Sequence, residues 1–300
     1  MARKSSFAIN LEYGALRFFC ALVNAIPYRV ACALATAIAW TAFNVLRLNR
    51  RRTLDRIASV FPTMAPAERR RIAFRSLANV LQTGVEMMRA PRLDRAWIDR
   101  YVPGAAAAHA KLSAVLARGR GAVIMVPHAG NWYMAAWAMA KYGLPLCAIA
   151  AKQRNPKLDA WMKRQYGDIE VVDRGSARTL VEIKDKILAG RAFAILPDLR
   201  VPHPDVEVGF LGGRANVSHA GAMFAVKTGA PIVVGMMRRE QGRHVIDYLA
   251  EIESGGRSPE DLMREVMAVL DAHIRLYPGD WFWYNKRWIL QPVKQKGKSK

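Results

Sequence analysis

Residues 121–134 read Gly121-Ala-Val-Ile-Met-Val-Pro-His128-Ala-Gly-Asn-Trp-Tyr-Met134. Within them, 122–126 is a short unbroken apolar run, as expected of a strand buried on both faces. The run delivers His128 into a turn containing Gly130, and the spacing predicts a helix over 132–141. Strand, polar turn and helix form the repeating unit of α/β sheets, whose chemistry sits where strands end in loops. Similar apolar runs occur at 146–150, 169–172, 192–196 and 232–236, with helical patterns at 156–166, 177–188 and 218–228 between them. The alternation predicts an α/β fold: a mainly parallel sheet flanked by crossover helices. An edge strand is expected at 244–252 and a last amphipathic helix at 259–276.

Upstream the pattern is helical. Residues 7–48 read as one broken helix or two consecutive ones, followed by helices at 50–61, 66–90 and 105–118. Pro66 suits a first helical turn, and Pro91 ends that helix. From Phe18 to Leu46 the only charged residue is Arg29, and Pro27 interrupts the run. The uncharged part, 30–46, spans roughly 26 Å as a helix, slightly short of a bilayer core of about 30 Å. The cationic cluster Arg47-Leu-Asn-Arg-Arg-Arg52 follows it. This is the pattern of an apolar membrane-associated helix, either spanning the bilayer or lying on anionic headgroups. Three parts are expected: a membrane-associated helical segment at 1–52, a catalytic domain at 53–292 and a basic flexible tail at 293–300.

The 300 residues carry 46 Lys+Arg against 24 Asp+Glu, a formal charge of +22. Such a chain meets an acidic partner, either nucleic acid, anionic lipid or an acidic protein. The apolar N-terminal segment and the lack of a nucleic-acid-binding motif count against nucleic acid and favour anionic membrane lipid. Cys20, Cys32 and Cys147 show no paired spacing, so neither a zinc nor a redox site is expected.

Four constellations carry potential chemistry. His128 at a strand end suits general-base work, because its unperturbed pKa lies near neutrality. Gly130 lets the backbone approach a reacting atom, and Asn131 and Trp132 flank it. The second run, Ala194-Ile-Leu-Pro-Asp198-Leu-Arg200, ends another buried strand in an acid. Parallel strands put Asp198 at the same sheet edge as His128, where it can orient the imidazole or bind a hydroxyl, with Arg200 close by. In Phe210-Leu-Gly-Gly-Arg214, the turn can bring amides and the Arg214 guanidinium to a phosphate or oxyanion. It matches no nucleotide-binding fingerprint. Last comes Tyr277-Pro-Gly-Asp-Trp-Phe-Trp-Tyr-Asn-Lys-Arg-Trp288, read as partly packed aromatics with Lys286 and Arg287 outward.

In order along the chain stand His128-x-Gly-Asn-Trp132, Arg154-Asn-Pro156, Leu196-Pro-Asp198, Phe210-Leu-Gly-Gly-Arg214, Thr228-Gly-Ala-Pro231 and the closing Trp281-Phe-Trp283 with Lys286-Arg-Trp288. The ordered set, from about Leu11 to Pro292, resembles the lauroyl/myristoyl-type lipid A acyltransferases, a family that also includes mycobacterial phosphatidylinositol mannoside acyltransferases. The resemblance implies an inner-membrane enzyme whose catalytic domain faces the cytoplasm. Such an enzyme moves a fatty acyl group from acyl carrier protein or coenzyme A to a hydroxyl of a glycolipid, lipid A or its precursor by default, without a cofactor. It implies His128 as base; amides near Gly130 and a cation such as Lys152 or Arg154 are expected on the oxyanion.

One departure stands out. The family's acid five positions after the histidine is Tyr133 here. A tyrosine can fix the imidazole tautomer but stabilises the imidazolium far less than a carboxylate does. Three outcomes are open: Asp198 supplies the carboxylate from the neighbouring strand, the reaction acylates an amine, or the chain binds lipid without catalysis.

Overall fold

The computed structural model describes residues 5–291 apart from 176, 177 and 204; the expected tail at 293–300 lies outside the described residues. The N-terminal region is helical: α1 (Ser6–Ala25), α2 (Tyr28–Trp40), α3 (Arg50–Val60), α4 (Pro66–Arg89), α5 (Arg95–Tyr101) and α6 (Ala105–Leu116). The α/β part follows: β1 (Ala122–Met125), α7 (Trp132–Lys141), β2 (Leu146–Ala150), α8 (Pro156–Gln165), β3 (Glu170–Asp173), α9 (Thr179–Leu188) and β4 (Ala192–Ile195). It continues with β5 (Val206–Phe210), β6 (Gly213–Val217), α10 (Ala220–Thr228), β7 (Ile232–Glu240), β8 (Arg243–Ile252) and α11 (Pro259–Leu276).

The main sheet has the order β3-β2-β4-β1-β7-β8. All neighbours are parallel except β8, an antiparallel edge strand paired to β7. This is the mainly parallel sheet that the apolar runs imply. Alternate strand residues feed two apolar layers: Val123, Met125, Phe193, Ile232 and Val234 on one face, Ala122, Ile124, Ala192 and Val233 on the other. The sequence reading lacks two elements. Short α5 has too few turns to show a period, and the separate β5–β6 hairpin turns through Leu211 (φ +50°) and Gly212 (φ +78°), where the sequence suggests only a loop.

The N-terminal reading is corrected in detail. Pro27 separates two helices, and α2 ends in a π-helical turn (Thr41–Val45) before the chain bends sharply into α3. Among the described residues, the helix long and apolar enough by itself to cross a membrane is α1 rather than 30–46, although α2 and α3 together pass as a bent pair. The charges of Glu12 and Arg17 hid it in the sequence. Asn155 ties α1 to the α/β part, its Nδ2 donating to Ile9 O (3.0 Å) and to Glu12 Oε2 (2.9 Å). Arg89 donates to Val23 O at 2.7 Å. One side of α1 thus rests on the protein, while Phe7, Leu11, Phe18, Phe19 and Leu22 are exposed. Val30, Leu34, Ile38 and Trp40 of α2 extend this apolar surface.

The C-terminal aromatic run is a core plug. Trp281 and Trp283 are buried, and Lys286 and Arg287 are exposed. Arg56 reaches in from α3 and donates to Trp283 O (2.8 Å) and Asn285 O (2.7 Å). This plug carries the chain back to the end of β1.

Candidate active site

Pro127 and His128 follow β1, and Asp198 follows β4, its direct parallel neighbour. The register Met125↔Ile195 puts the two residues at equal distance beyond the sheet edge. His128 Nδ1 lies 2.7 Å from Asp198 Oδ1, and the His128 backbone amide donates to Asp198 Oδ2 at 2.8 Å. The Trp281 indole donates to the same Oδ2 at 2.8 Å. The carboxylate side chain is 1% exposed, the imidazole 17%. Burial alone raises the Asp198 carboxyl, but the adjacent His128 and the three donors outweigh it and hold the group below its usual range. Asp198 is therefore an anion that fixes the imidazole with Nδ1 toward itself, leaving Nε2 for a substrate. The Trp132 ring meets the imidazole edge-on, centroids 4.9 Å apart.

The turn after His128 is locked from behind. Gly130 sits at φ +53°, and a Cβ there would lie 2.4 Å from Met237 O, so only glycine fits. Its amide donates to Asp280 O (2.8 Å), and Ala129 N donates to Pro127 O (2.8 Å). The amides of 128, 129 and 130 are all engaged within the protein. Asn131 is buried. Its Oδ1 caps α7 by accepting from Met134 N (3.0 Å), and its Nδ2 donates to Glu86 Oε2 (2.6 Å). Asn131 thus positions the turn, with both polar atoms of its side chain engaged within the protein.

Glu86, on α4 and fully buried, is a partner the sequence did not reveal. Arg239 grips both its oxygens at 2.7 and 2.5 Å. His244 Nε2 lies 3.0 Å from Oε1, and Tyr28 Oη donates to Oε1 at 2.6 Å. Burial raises the Glu86 carboxyl, but Arg239 and His244 more than reverse it and hold the group well below the usual value. Tyr28, Glu86, Asn131 and the β7–β8 hairpin are far apart in sequence and meet only here, so local spacing could not show the cluster. Trp281 had a signal, as the first tryptophan of the closing aromatic run, but its link to Asp198 is purely tertiary.

On the other side of His128 lies an apolar cavity of about 390 Å³. Its floor is the sheet, at Ile124, Ala148, Ala194 and Gly235, and α7 contributes Ala135 and Ala136. The alanines and Gly235 leave the space that larger side chains would fill. His128 and Trp132 are part of the wall. Tyr133 is also in this wall, stacked on Trp137 at 5.8 Å and tilted against Tyr166 at 6.2 Å. Burial raises its hydroxyl pKa. Tyr133 therefore shapes the cavity, while the acid beside the imidazole is Asp198.

The remaining expected residues are dispersed. Lys152 and Arg154 are exposed on the segment whose Ala151 and Gln153 reach the cavity wall. Arg200 is half-buried just beyond the wall residue Leu199, and its Nε has no hydrogen-bond partner among the described residues. Arg214 is not brought to the site. It is exposed on the β5–β6 hairpin and pairs with Glu207 on the opposite strand, its Nε donating at 2.7 Å.

A carboxylate-held imidazole beside an apolar cavity suits transfer of an acyl chain, and sequence comparison gives the same class of enzyme. The chain belongs to the bacterial lipid A biosynthesis acyltransferase family, whose model matches residues 4–289, and it is an acyltransferase. It is similar to a phosphatidylinositol mannoside acyltransferase of Mycolicibacterium smegmatis, 26% identical over 274 residues, covering 89% of this chain and 88% of the relative. It is also similar to the enzyme of that name from Mycobacterium tuberculosis, 26% identical over 250 residues, covering 80% and 76%.

Proposed function

We propose that this acyltransferase moves a fatty acyl group from a thioester, carried by acyl carrier protein or coenzyme A, to a hydroxyl of a glycolipid at the cytoplasmic face of a bacterial inner membrane. His128 Nε2 takes the proton of the acceptor hydroxyl as its oxygen attacks the thioester carbonyl. The C–O bond forms, the carbonyl π electrons move to oxygen, and a tetrahedral oxyanion results. As the carbonyl re-forms, the C–S bond breaks and the imidazolium returns its proton to the departing sulfur. The products are an ester and a free thiol. Asp198 stabilises the imidazolium and keeps the tautomer correct throughout.

The observation that carries this reading is the 2.7 Å Nδ1–Asp198 contact in the wall of the apolar cavity. The cavity takes the acyl chain, and its volume falls within the ordinary range for ligand pockets of about 300–1,000 Å³. With the backbone amides of 128–130 occupied, the oxyanion needs another donor, and Arg200, whose Nε lacks a partner among the described residues, fits that need. The exposed apolar sides of α1 and α2 suit a membrane surface, with α1 lying along it. The family name points to lipid A or its precursor as acceptor, and the relatives' names to phosphatidylinositol mannosides. Incubating purified protein with an acyl thioester and each glycolipid in turn, then weighing the lipids, tests the reading. A gain of one acyl chain on one acceptor, absent with His128→Ala, is the expected result. Equal transfer by His128→Ala would overturn it.

A further inference from the structure

A second and larger cavity, about 890 Å³, opens beside the first, among the start of α2, α4, α5 and the β7–β8 turn. Its lining is dominated by arginines. Arg75, Arg238 and Arg239 are held by carboxylates: Asp280 for the first, Glu240 and Asp247 for the second, Glu86 for the third. Arg29, Arg100 and Arg243 are exposed and have no ion pair among the described residues. Glu240 is the only acid in the lining. Surplus guanidinium groups converging on one cavity are unusual for a structural cluster, because like charges repel unless an anion sits between them. Arginine's planar fork matches phosphate oxygens better than an ammonium would.

Two further features define what enters. The β7–β8 turn is a tight hairpin with Gln241 and Gly242 both at positive φ (+49° and +75°), which holds Arg243 in a fixed place. Tyr28, Arg29 and Cys32 line the cavity at the start of α2, and the outer side of the same helix exposes Val30, Leu34, Ile38 and Trp40. The arginines therefore stand where an apolar helix ends, the depth of the phosphate layer when that helix lies in a membrane.

We infer that this cavity is a binding site for the phosphate of an anionic lipid headgroup, separate from the acyl cavity. Arg29, Arg100 and Arg243 take the phosphate oxygens, and the paired arginines form a fixed positive floor. Arg239 joins this floor to the catalytic turn, because the Glu86 it grips also holds Asn131. A headgroup seated here lies next to the turn that carries His128. The inference needs no turnover and stands apart from acyl transfer.

The test is calorimetric titration of the full chain in dodecyl maltoside with dioctanoyl phosphatidylglycerol, dioctanoylglycerol and inorganic phosphate. Saturable one-to-one binding of the phospholipid is expected, with the uncharged lipid at least about tenfold weaker. The triple variant Arg29→Gln/Arg100→Gln/Arg243→Gln should lose at least about tenfold in affinity. A control of equal charge change away from the cavity, Lys111→Gln/Lys184→Gln/Arg264→Gln, should stay within about twofold. Hydrogen exchange of the wild-type chain should show protection at 238–243 on adding the phospholipid. Equal losses in both triple variants, no protection at that turn, or inorganic phosphate binding as tightly as the phospholipid would each overturn the inference. Thioester turnover measured on the same samples reports on acyl transfer independently.

Discussion

The two cavities flanking the turn at 128–132 are built on opposite principles. The apolar cavity is walled by sheet and helix side chains with small residues at its floor, and the histidine in its wall is already partnered by a buried anion. The arginine cavity is larger, more polar than the first and left with unpaired positive charge. Completing every polar contact fixes one geometry and suits chemistry, whereas leaving charges unpaired suits capture of a ligand that brings the counter-charge. Glu86 sits between, bonded to Asn131 on one side and Arg239 on the other, so the two regions share a single buried carboxylate.

Substitutions separate the two regions by the size of their effect. His128→Ala should lower acyl transfer most, by at least about a thousandfold, with binding of short phospholipid unchanged. Asp198→Asn should lower turnover by about a hundredfold to ten-thousandfold, because the amide lets the imidazole adopt the wrong tautomer and leaves the imidazolium unsupported. Neither variant should move KM for the acceptor as much as kcat.

Glu86→Gln strikes both regions, since it leaves Arg239 buried beside a neutral partner. A loss of about 3–5 kcal/mol is expected in denaturant unfolding. Acid should report the same group. With its folded pKa held below the ordinary carboxylate value of about 4.3, Glu86 contributes full stability above that value and loses it as pH falls through the lower folded value. The fall in unfolding midpoint between pH 6 and pH 3 should be shallower in Glu86→Gln than in the wild type.

Two smaller effects concern the cavity wall. Ala136→Phe projects a ring into the acyl cavity and should shift donor preference toward shorter chains by about tenfold or more, read from competing thioesters, since about 1–3 kcal/mol rides on each methylene. Tyr133→Phe keeps the wall and removes only a hydroxyl, so turnover should change by less than about threefold. Tyr133→Asp, which restores the acid of the resembling family, should reduce activity, because the carboxylate enters an apolar wall rather than the imidazole's empty side.

Much of this was legible in the chain because strands buried on both faces write unbroken apolar runs. The runs before His128 and Asp198 marked the strands, and the parallel rule brought their ends together; the ordered motifs gave the family. Roles that depend on which donor a neighbour has already taken were not legible. Gly130 and Asn131 looked like substrate groups from their place after His128, yet Asp280 and Glu86, both remote in sequence, had claimed them. Arg214 in its glycine turn looked able to meet a phosphate or oxyanion, yet Glu207, seven residues earlier, faces it across the hairpin. In α1 two charges hid an apolar helix, because Glu12 and Arg17 break a hydropathy window while leaving the outward side apolar.

The central claim is that Asp198, not Tyr133, is the acid that supports His128 in acyl transfer. The most direct test measures single-turnover acyl transfer to the acceptor by purified wild type, Asp198→Asn and Tyr133→Phe, with folding checked by thermal melting. The expected result is a loss of at least about a hundredfold for Asp198→Asn and near-wild-type transfer for Tyr133→Phe. Full transfer by a folded Asp198→Asn, with loss in Tyr133→Phe, would contradict it.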